Sequence, residues 1–244
     1  MALLDDGMNG AESGGFDERT DSKVGRIHEA MFKAILAREL VPGTKLSEDS
    51  IGSLFSVSRT IVRAALNRLH TESLVEFKKN RGAFVASVTP EEARQVFDAR
   101  TVVEREIFSK LARVVTDRQI VDLSAHLKRE HEIRRTGDHT AAILLSGDFH
   151  LLAAAMAGNE VLAVFLKSLI SRTSLILAQH STGNHDSDCN LDDHGAIIGA
   201  LKARDPEASG RAIVHHLWHV FAQANIDQDE RPRRSLGDIL SRYA

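Results

Sequence analysis

Apolar residues recur every three or four positions between Val24 and Leu40, a spacing that places them on one face of a helix. The sequence Val-Pro-Gly at 41–43 is expected to end that helix, because proline cannot continue the hydrogen-bond ladder. Residues 1–20 are rich in Gly, Asp, Glu and Ser and lack this period, which predicts a mobile tail. A polar tail followed by an amphipathic helix is therefore expected.

Two shorter helical patterns and a pair of strands follow. Ser47 and Ser58 are each a favourable N-cap, and each precedes a stretch with one apolar face. The alternating stretches 74–77 and 83–86 flank a basic tip, which predicts a β-hairpin. Three helices and a hairpin in this order predict a winged helix-turn-helix, a DNA-binding module.

From Glu91 onward the pattern is helical and is broken by short polar connections. Such connections are typical of an antiparallel bundle, so we expect a mostly α-helical protein. The predicted helices lie at about 91–114, 117–136, 140–157, 160–180, 190–203 and 206–226. The predicted division is a flexible tail at 1–20, a winged helix at 21–88, a helical domain at 89–228, and a tail at 229–244 that can form a short helix.

Composition and charge narrow the class of protein. Cys189 is the one cysteine among 244 residues, which excludes an intramolecular disulfide and suits a reducing compartment. We find no apolar run of about 18 residues and no basic-then-apolar start, so we expect a cytoplasmic protein without a membrane partner. Residues 20–87 hold 11 Lys/Arg against 7 Asp/Glu, and the remainder holds 20 against 27. Ordinary scatter can produce this division, but it also fits a nucleic-acid partner at one end.

The third predicted helix carries two cations away from its apolar stripe. Arg59 and Arg63 are four residues apart near the helix N-terminus, which in a helix-turn-helix contacts base edges in the major groove. Ser58 and Thr60 offer hydroxyls and backbone amides to phosphates. The alternative is a solvated cationic face. The hairpin tip adds candidates for contacts to the DNA backbone or minor groove: Lys78, Lys79, Arg81 and Gly82.

Three segments of this module match a known pattern in residue type and spacing: Pro42–Glu48, Val57–Leu69 and Asn80–Val85. They resemble the GntR family of bacterial regulators. The resemblance implies that Arg59 and Arg63 contact bases of double-stranded DNA, with Thr60 and the hairpin tip on phosphates or in the minor groove. Ala64 departs from the pattern, since many relatives have Glu at this position.

The helical half places polar residues where a bundle is expected to be apolar. Arg100 falls on an apolar stripe, and Arg172 falls on a stripe with Phe165 and Ile176. A buried guanidinium needs an anionic partner. A structural Asp or Glu can supply it, and so can a carboxylate ligand.

Three histidines, His150, His194 and His216, lie on the apolar stripes of three separate predicted helices. Each can be a packed core residue, but three that converge in a bundle can bind a metal ion. His215 and His219, one turn apart, form a weaker rival pair. The residues alone leave these alternatives open.

Further motifs match a second known pattern: Phe149-His150, Ala157-Gly158-Asn159, Asp193-His194 and Ala212–Leu217. They resemble the FCD domain, the helical ligand-binding domain of the FadR-type branch of the GntR family. The resemblance implies a divalent metal held by His150, His194 and His216, together with an Asp one turn before the first histidine. Ser146 stands at that position instead, so three imidazoles and a water or ligand oxygen must suffice.

The same resemblance implies that the metal helps to hold a small carboxylate effector. Arg100 and Glu104 fit an Arg-x-x-x-Glu pattern on the first helix of such domains. Zinc is the first expectation for the metal, with nickel or manganese open, and no organic cofactor is expected. The predicted effector-binding residues are Arg100, Glu104, Ser146 and Arg172.

Together these features predict a transcriptional regulator rather than an enzyme. We expect a repressor that binds a pseudo-palindromic operator as a homodimer, with an operator affinity controlled by a small organic acid. One alternative is a constitutive DNA-binding protein whose helical domain only dimerises. The other is a metal-dependent hydrolase, although the sequence contains neither HExxH nor a nucleophile elbow.

Overall fold

The N-terminal part of the protein contains helices and a small antiparallel sheet. The computed structural model describes residues 18–37, 39–180, 189–224, 237, 240 and 241. The N-terminal elements are α1 (Glu18–Leu36), β1 (Lys45–Leu46), α2 (Glu48–Phe55), α3 (Arg59–Thr71), β2 (Val75–Lys78) and β3 (Gly82–Val85). The predicted winged helix-turn-helix is confirmed, because α2 and α3 form the helix-turn-helix and the β2–β3 hairpin forms the wing.

The turn between α2 and α3 follows from its local sequence. Ser47 caps α2 as predicted, and its Oγ accepts a hydrogen bond from the Ser50 amide at 3.3 Å. Ser56 ends α2 in the left-handed region, with φ at 52°. A Cβ at Gly52 would lie 3.1 Å from the Val57 carbonyl oxygen. A larger residue at this position would therefore push the turn away from α2.

The wing is tied to the module by a third strand. The strand order is β1-β3-β2, with Lys45 opposite Phe84 and Leu46 opposite Ala83. The strand β1 was not predicted, because two residues are too few for alternation to be detected. At the tip Gly82 has φ at +90°, the positive value that its position in the hairpin predicts.

The start of α1 differs from the prediction. The helix spans Glu18–Leu36 rather than 24–40, so it begins inside the segment predicted to be a tail. Residues 18–23 are polar, and a method that follows apolar periodicity cannot detect them. The rest of that predicted tail, residues 1–17, lies outside the described residues.

The end of α1 also comes earlier than predicted. The amides of Glu39 and Leu40 donate to the Ala34 carbonyl oxygen at 2.9 and 3.0 Å. The chain therefore turns before Pro42, and this turn brings the Leu40 side chain into the core. The helix therefore ends before the chain reaches the proline.

Six helices form the C-terminal bundle, and among the described residues this part contains no strand. They are α4 (Pro90–Val114), α5 (Asp117–Thr136), α6 (His139–Met156), α7 (Glu160–His180), α8 (Cys189–Lys202) and α9 (Pro206–Gln223). Every predicted boundary lies within three residues of these bounds, because polar caps mark the starts. Thr116 and Gln119 form a capping box at α5. The segment predicted as a C-terminal tail lies mostly outside the described residues.

Helix α7 contributes to two groups of buried apolar residues. Its Leu166 packs in the core of the bundle with Phe108 and Phe149. Its Leu175 and Ile176 belong instead to the core of the winged helix. Helix α7 therefore connects the interior of the bundle with the DNA-binding module, as do α4 and α9, which also contribute buried residues to both groups.

The side-chain amide of Gln179, near the end of α7, binds the segment that leaves the wing. Its Oε1 accepts a hydrogen bond from the Val88 amide at 3.1 Å, and its Nε2 donates to the Ala86 carbonyl oxygen at 3.1 Å. The side chain is buried, so both bonds form away from solvent. This contact, which we call the Gln179 clamp, fixes the exit of β3 to α7.

Among the described residues, two helices are long and apolar enough to cross a bilayer by length and composition alone: α6 and α7. Core helices of helical bundles meet the same criterion, so one or two such helices are weak evidence for a membrane span. Here α6 contributes Phe149 and α7 contributes Leu166 to the bundle core.

Candidate functional site

The predicted DNA-contacting side chains lie on one exposed face of α3. Arg59, Thr60 and Arg63 are exposed in the first turns of the helix. Ser58 is the N-cap, and its hydroxyl makes no capping hydrogen bond. The apolar residues Val62 and Leu66 point into the core, which leaves the polar face of α3 open to a partner.

Each arginine of this face meets a carboxylate from the first turn of α2. Arg63 donates to Glu48 Oε1 from Nη2 at 3.0 Å and from Nε at 3.1 Å. Arg59 Nε lies 2.5 Å from Asp49 Oδ1. Exposed pairs of this kind contribute little to stability, and they can exchange partners. Sequence analysis missed both pairs, since it assigned no role to Glu48 or Asp49.

The wing presents a basic tip at its turn. Lys79, Arg81 and Gly82 are exposed. Lys78 forms an ion pair with Glu76 at 2.7 Å and lies over the Phe84 ring. Lys79 and Arg81 are therefore accessible to a phosphate backbone, although Arg81, like Lys78, also lies over the Phe84 ring.

Three histidines from three helices meet inside the bundle, and we call them the inner triad: His150 of α6, His194 of α8 and His216 of α9. Each offers a ring nitrogen, and these nitrogens lie within 4.8 Å of one another. All three side chains are buried. The predicted convergence of the three stripes is therefore present in the structure.

An ion pair from α4 holds His150. The Nδ1 of His150 is hydrogen-bonded to Glu104 Oε2, and Arg100 Nε donates to Glu104 Oε1 at 2.7 Å. Burial raises the pKa of Glu104, but the Arg100 and His150 contacts outweigh it and lower that pKa to about 2. Burial also lowers the pKa of His150. An ionised carboxylate thus orients a neutral imidazole whose Nε2 carries the free lone pair.

A second ion pair, from α5, holds His194 in the same way. The Nδ1 of His194 donates to Glu130 Oε2 at 2.9 Å, and Arg134 Nη2 donates to Glu130 Oε1 at 2.8 Å. Burial raises the pKa of Glu130, but the contacts with His194 and Arg134 lower it to about 2. Sequence analysis missed Glu130. Its spacing of four residues from Arg134, which repeats that of Arg100 and Glu104, was the available signal.

The inner triad fits a metal ion. The Nε2 of His194 is buried and has no hydrogen-bond partner among the described residues, although an imidazole nitrogen of this kind normally has one. Burial and the neighbouring His194 lower the pKa of His216 to about 3, which favours the neutral ligand form. Carboxylates behind imidazoles are the usual arrangement around metal-binding histidines.

Among the described residues, no carboxylate lies with the inner triad as a further candidate metal ligand. Ser146 is half-buried one turn before His150, and Asp148, two residues before His150, is exposed. The protein therefore offers three nitrogens, and further ligands must come from water or from a bound molecule.

The two inward arginines of the prediction have different surroundings. Arg100 is buried beside the inner triad and has the structural carboxylate that was one of its two alternatives. Arg172 is only partly buried, and it also has a structural carboxylate, because it pairs with Glu92 in the first turn of α4. Phe165 of the same stripe is 61% exposed. Helix α7 is apolar on most sides, so its apolar stripe does not identify the inward face.

A second cluster, which we call the outer triad, lies at the surface of α8 and α9: Asp193, His215 and His219. The Nδ1 of His219 lies 2.8 Å from Asp193 Oδ2, and the Nδ1 of His215 lies 3.6 Å from Asp193 Oδ1. The sequence identified the two histidines as a rival pair. It gave no indication that Asp193 joins them.

Comparison with known families explains this combination of parts. Residues 23–85 match the bacterial regulatory proteins of the gntR family, and residues 95–219 match the FCD domain. The chain belongs to the GntR family. The predicted family relationship is confirmed on both segments.

Curated relatives of this GntR-family chain are regulators. The Uxu operon regulator of Haemophilus influenzae is 31% identical over 198 residues, which cover 73% of each protein. The HTH-type transcriptional repressor RspR of Escherichia coli K12 is 26% identical over 197 residues, which cover 80% of this chain and 86% of the relative. The family and these relatives are DNA-binding transcriptional regulators and not enzymes, so the hydrolase alternative is set aside.

Solved structures share the fold. A GntR transcriptional regulator from Rhodococcus sp. RHA1 matches with a TM-score of 0.74 at 24% identity, over 87% of this chain and 100% of that one. Escherichia coli McbR/YncC matches with a TM-score of 0.72 at 17% identity, over 83% of this chain and 96% of that one. At these identities the likeness concerns the fold alone.

Proposed function

We propose that this chain is a homodimeric repressor whose operator affinity is controlled by a small carboxylate effector bound at a metal ion in the bundle. The inner triad carries the proposal, because two of its imidazoles have buried carboxylates behind them. A histidine packed for stability alone does not need an ionised carboxylate in a core. Residues 21–88 would bind DNA, and residues 89–228 would bind the effector and the second subunit.

The proposed DNA contacts use the exposed face of α3 and the wing. In the major groove Arg59 and Arg63 would exchange their carboxylate partners for base edges, since arginine can bind guanine through two hydrogen bonds. The remaining contacts would be made to phosphates or in the minor groove, by Ser58, Thr60, Lys79, Arg81 and Gly82. The electrostatic part of this binding weakens with added salt.

At the inner triad His150, His194 and His216 would hold the metal, with zinc first and nickel or manganese as alternatives. A bound cation there would attract the carboxylate of the effector. Arg100 bonds Glu104 through Nε, and a guanidinium has further N–H donors that can meet the same carboxylate. Ser146, one turn before His150, would add a hydroxyl.

We propose that α7 transmits the effect of effector binding to the DNA-binding module. This helix packs on the bundle core through Leu166, and the Gln179 clamp binds the exit of the wing. An effector changes operator affinity only if it binds two arrangements of the protein with different strength, typically by about 1–3 kcal/mol. We propose that these arrangements differ in the position of α7.

The homodimer is supported by exposed apolar side chains on α7. Val161, Val164 and Phe165 lie on one face at helical spacing, and each is well exposed. Apolar patches of this kind often mark a protein interface. Two winged helices in such a dimer would match the two halves of a pseudo-palindromic operator, and we expect the regulator to act in the cytoplasm.

Thermal unfolding tests the metal and the effector together. Chelator-stripped protein is heated with zinc, nickel or manganese, and then with each metal plus a panel of small organic acids. A ligand at about 100 times its dissociation constant stabilises by roughly 2.7 kcal/mol, a measurable rise in melting temperature. We expect the metal-dependent rise to be smaller in His194→Ala than in the wild type, because the inner triad has lost a ligand.

The matched control is His139→Ala, which changes an exposed histidine at the start of α6 outside both triads. It is expected to keep the full metal-dependent rise. An equal rise in His194→Ala and in the wild type would contradict metal binding at the inner triad. A metal effect without any response to organic acids would support the alternative in which the helical domain only dimerises.

A further inference from the structure

We propose that the outer triad is a second site for a divalent transition-metal ion. Its ligands are Asp193 of α8 and His215 and His219 of α9, on the outer side of the bundle. It shares no ligand with the inner triad. The inference does not depend on the function proposed for that triad.

The geometry needs only small movements to accept an ion. The two histidines are one turn apart on α9, with ring centroids 4.0 Å apart, and Asp193 lies 2.8 Å from one ring and 3.6 Å from the other. A zinc ion with bonds of about 2.0–2.1 Å needs ligand atoms roughly 3.3 Å apart. His215 and His219 are 65% and 39% exposed, so their side chains can rotate enough to bring the ligand atoms to this separation.

Asp193 distinguishes the outer triad from an ordinary pair of surface histidines. Its carboxylate is nearly buried, although it lies at the edge of the bundle. In addition to the two outer rings, its Oδ2 lies 3.5 Å from the Nδ1 of His216. Because the carboxylate is buried, it has less side-chain freedom to lose on binding an ion than an exposed carboxylate has.

The donor set selects the class of ion. Two imidazoles and one carboxylate suit zinc, cobalt, nickel or copper, whereas magnesium and calcium prefer oxygen ligands. Three protein ligands on one side leave coordination positions open. Because the histidines are exposed, water can occupy those positions.

Zinc stoichiometry tests the proposal on the full-length protein. Chelator-stripped protein is dialysed against buffered zinc, and the bound metal is measured by elemental analysis. The variant His215→Ala/His219→Ala is expected to bind one zinc ion per chain fewer than the wild type. The control His139→Ala is expected to bind as many as the wild type. Equal zinc content in the double variant and the wild type would overturn the proposal.

The role of Asp193 is tested in a His194→Ala background, which isolates the outer triad. Zinc affinity there is expected to fall by more than about tenfold in Asp193→Asn, since one of three ligands loses its charge. An unchanged affinity would mean a simple histidine pair and would overturn the three-ligand site. Retention of one zinc ion by His194→Ala itself supports the outer triad, whatever the inner triad binds. The outcome for one site is thus distinguishable from that for the other.

Discussion

An arginine paired with a glutamate occurs both on the DNA-binding face and beside the inner triad, in opposite surroundings. Arg63 and Glu48 are 65% and 25% exposed, whereas Arg100 and Glu104 are 3% and 0% exposed. Water and salt screen the first pair. The second pair has no solvent to replace a lost partner, so each charge depends on the other.

Because of this difference in exposure, the pair on α3 can exchange partners, whereas the pair in the bundle keeps its side chains in fixed positions. On α3 the arginines pair with the carboxylates of α2, and in the proposed function they would leave these partners for DNA. In the bundle the arginine fixes a glutamate, and the glutamate fixes the ring of His150. The first arrangement can change partners at little cost, and the second keeps a ligand in position.

The largest expected effect tests the buried pair. Glu104→Ala leaves the charge of Arg100 uncompensated in the core and removes the acceptor of His150. We expect the free energy of unfolding to fall by about 3–5 kcal/mol, measured by urea denaturation of metal-free protein. The double variant Arg100→Met/Glu104→Leu is expected to recover most of this loss, because neither charge of this pair then remains buried. A loss below about 1 kcal/mol in the single variant would show that the buried pair contributes no more to the free energy of unfolding than the exposed pair does.

An intermediate effect concerns operator binding. Arg59→Ala is expected to weaken binding by about 1–3 kcal/mol, roughly 5- to 150-fold, because one base-contacting guanidinium is lost. Fluorescence anisotropy at fixed salt, on a fragment selected from chromosomal DNA by the wild type, measures the change. Arg113→Ala, which removes an exposed cation at the end of α4, is the control and should bind normally. Normal binding by Arg59→Ala would exclude α3 as the recognition helix.

The smallest effect tests the exposed pair. Glu48→Gln is expected to change the free energy of unfolding by less than about 1 kcal/mol. The same variant should bind DNA slightly more tightly at low salt, since a carboxylate that competes for Arg63 has been removed. Urea denaturation and the anisotropy assay measure the two quantities. A destabilisation as large as that of Glu104→Ala would remove the contrast between the pairs.

Much of the fold could be predicted because particular residue types mark the starts of its helices and the turn of its wing. Caps such as Ser47 and Thr116 mark helix starts, and Gly82 marks the tip of the wing. Periodicity located the apolar faces, and the three histidines on them converge as expected. It failed where the polar first turns of α1 carry no apolar signal.

The surroundings of the histidines were only partly predictable. Glu130 and Asp193 lie on helices whose packing no local pattern specifies. Along the chain Glu130 is 64 residues from His194, and Asp193 is 26 residues from His219. Arg172 is less buried than its stripe predicts, because α7 is apolar almost all round. Helical spacing gives the direction of a side chain on its own helix, but it does not give the neighbour that the side chain meets.

The Gln179 clamp lies near one end of α7, where a tilt of the helix would produce its largest displacement. A helix of 21 residues is about 31 Å long, so a tilt of about 10° displaces its end by about 5 Å. That displacement exceeds the rise of about 3.4 Å per base pair along the DNA axis. Since the clamp ties the exit of β3 to this end, the recognition helix would move with it. A tilt of about 10° would then be enough to take the two winged helices of a dimer out of register with half-sites at a fixed separation.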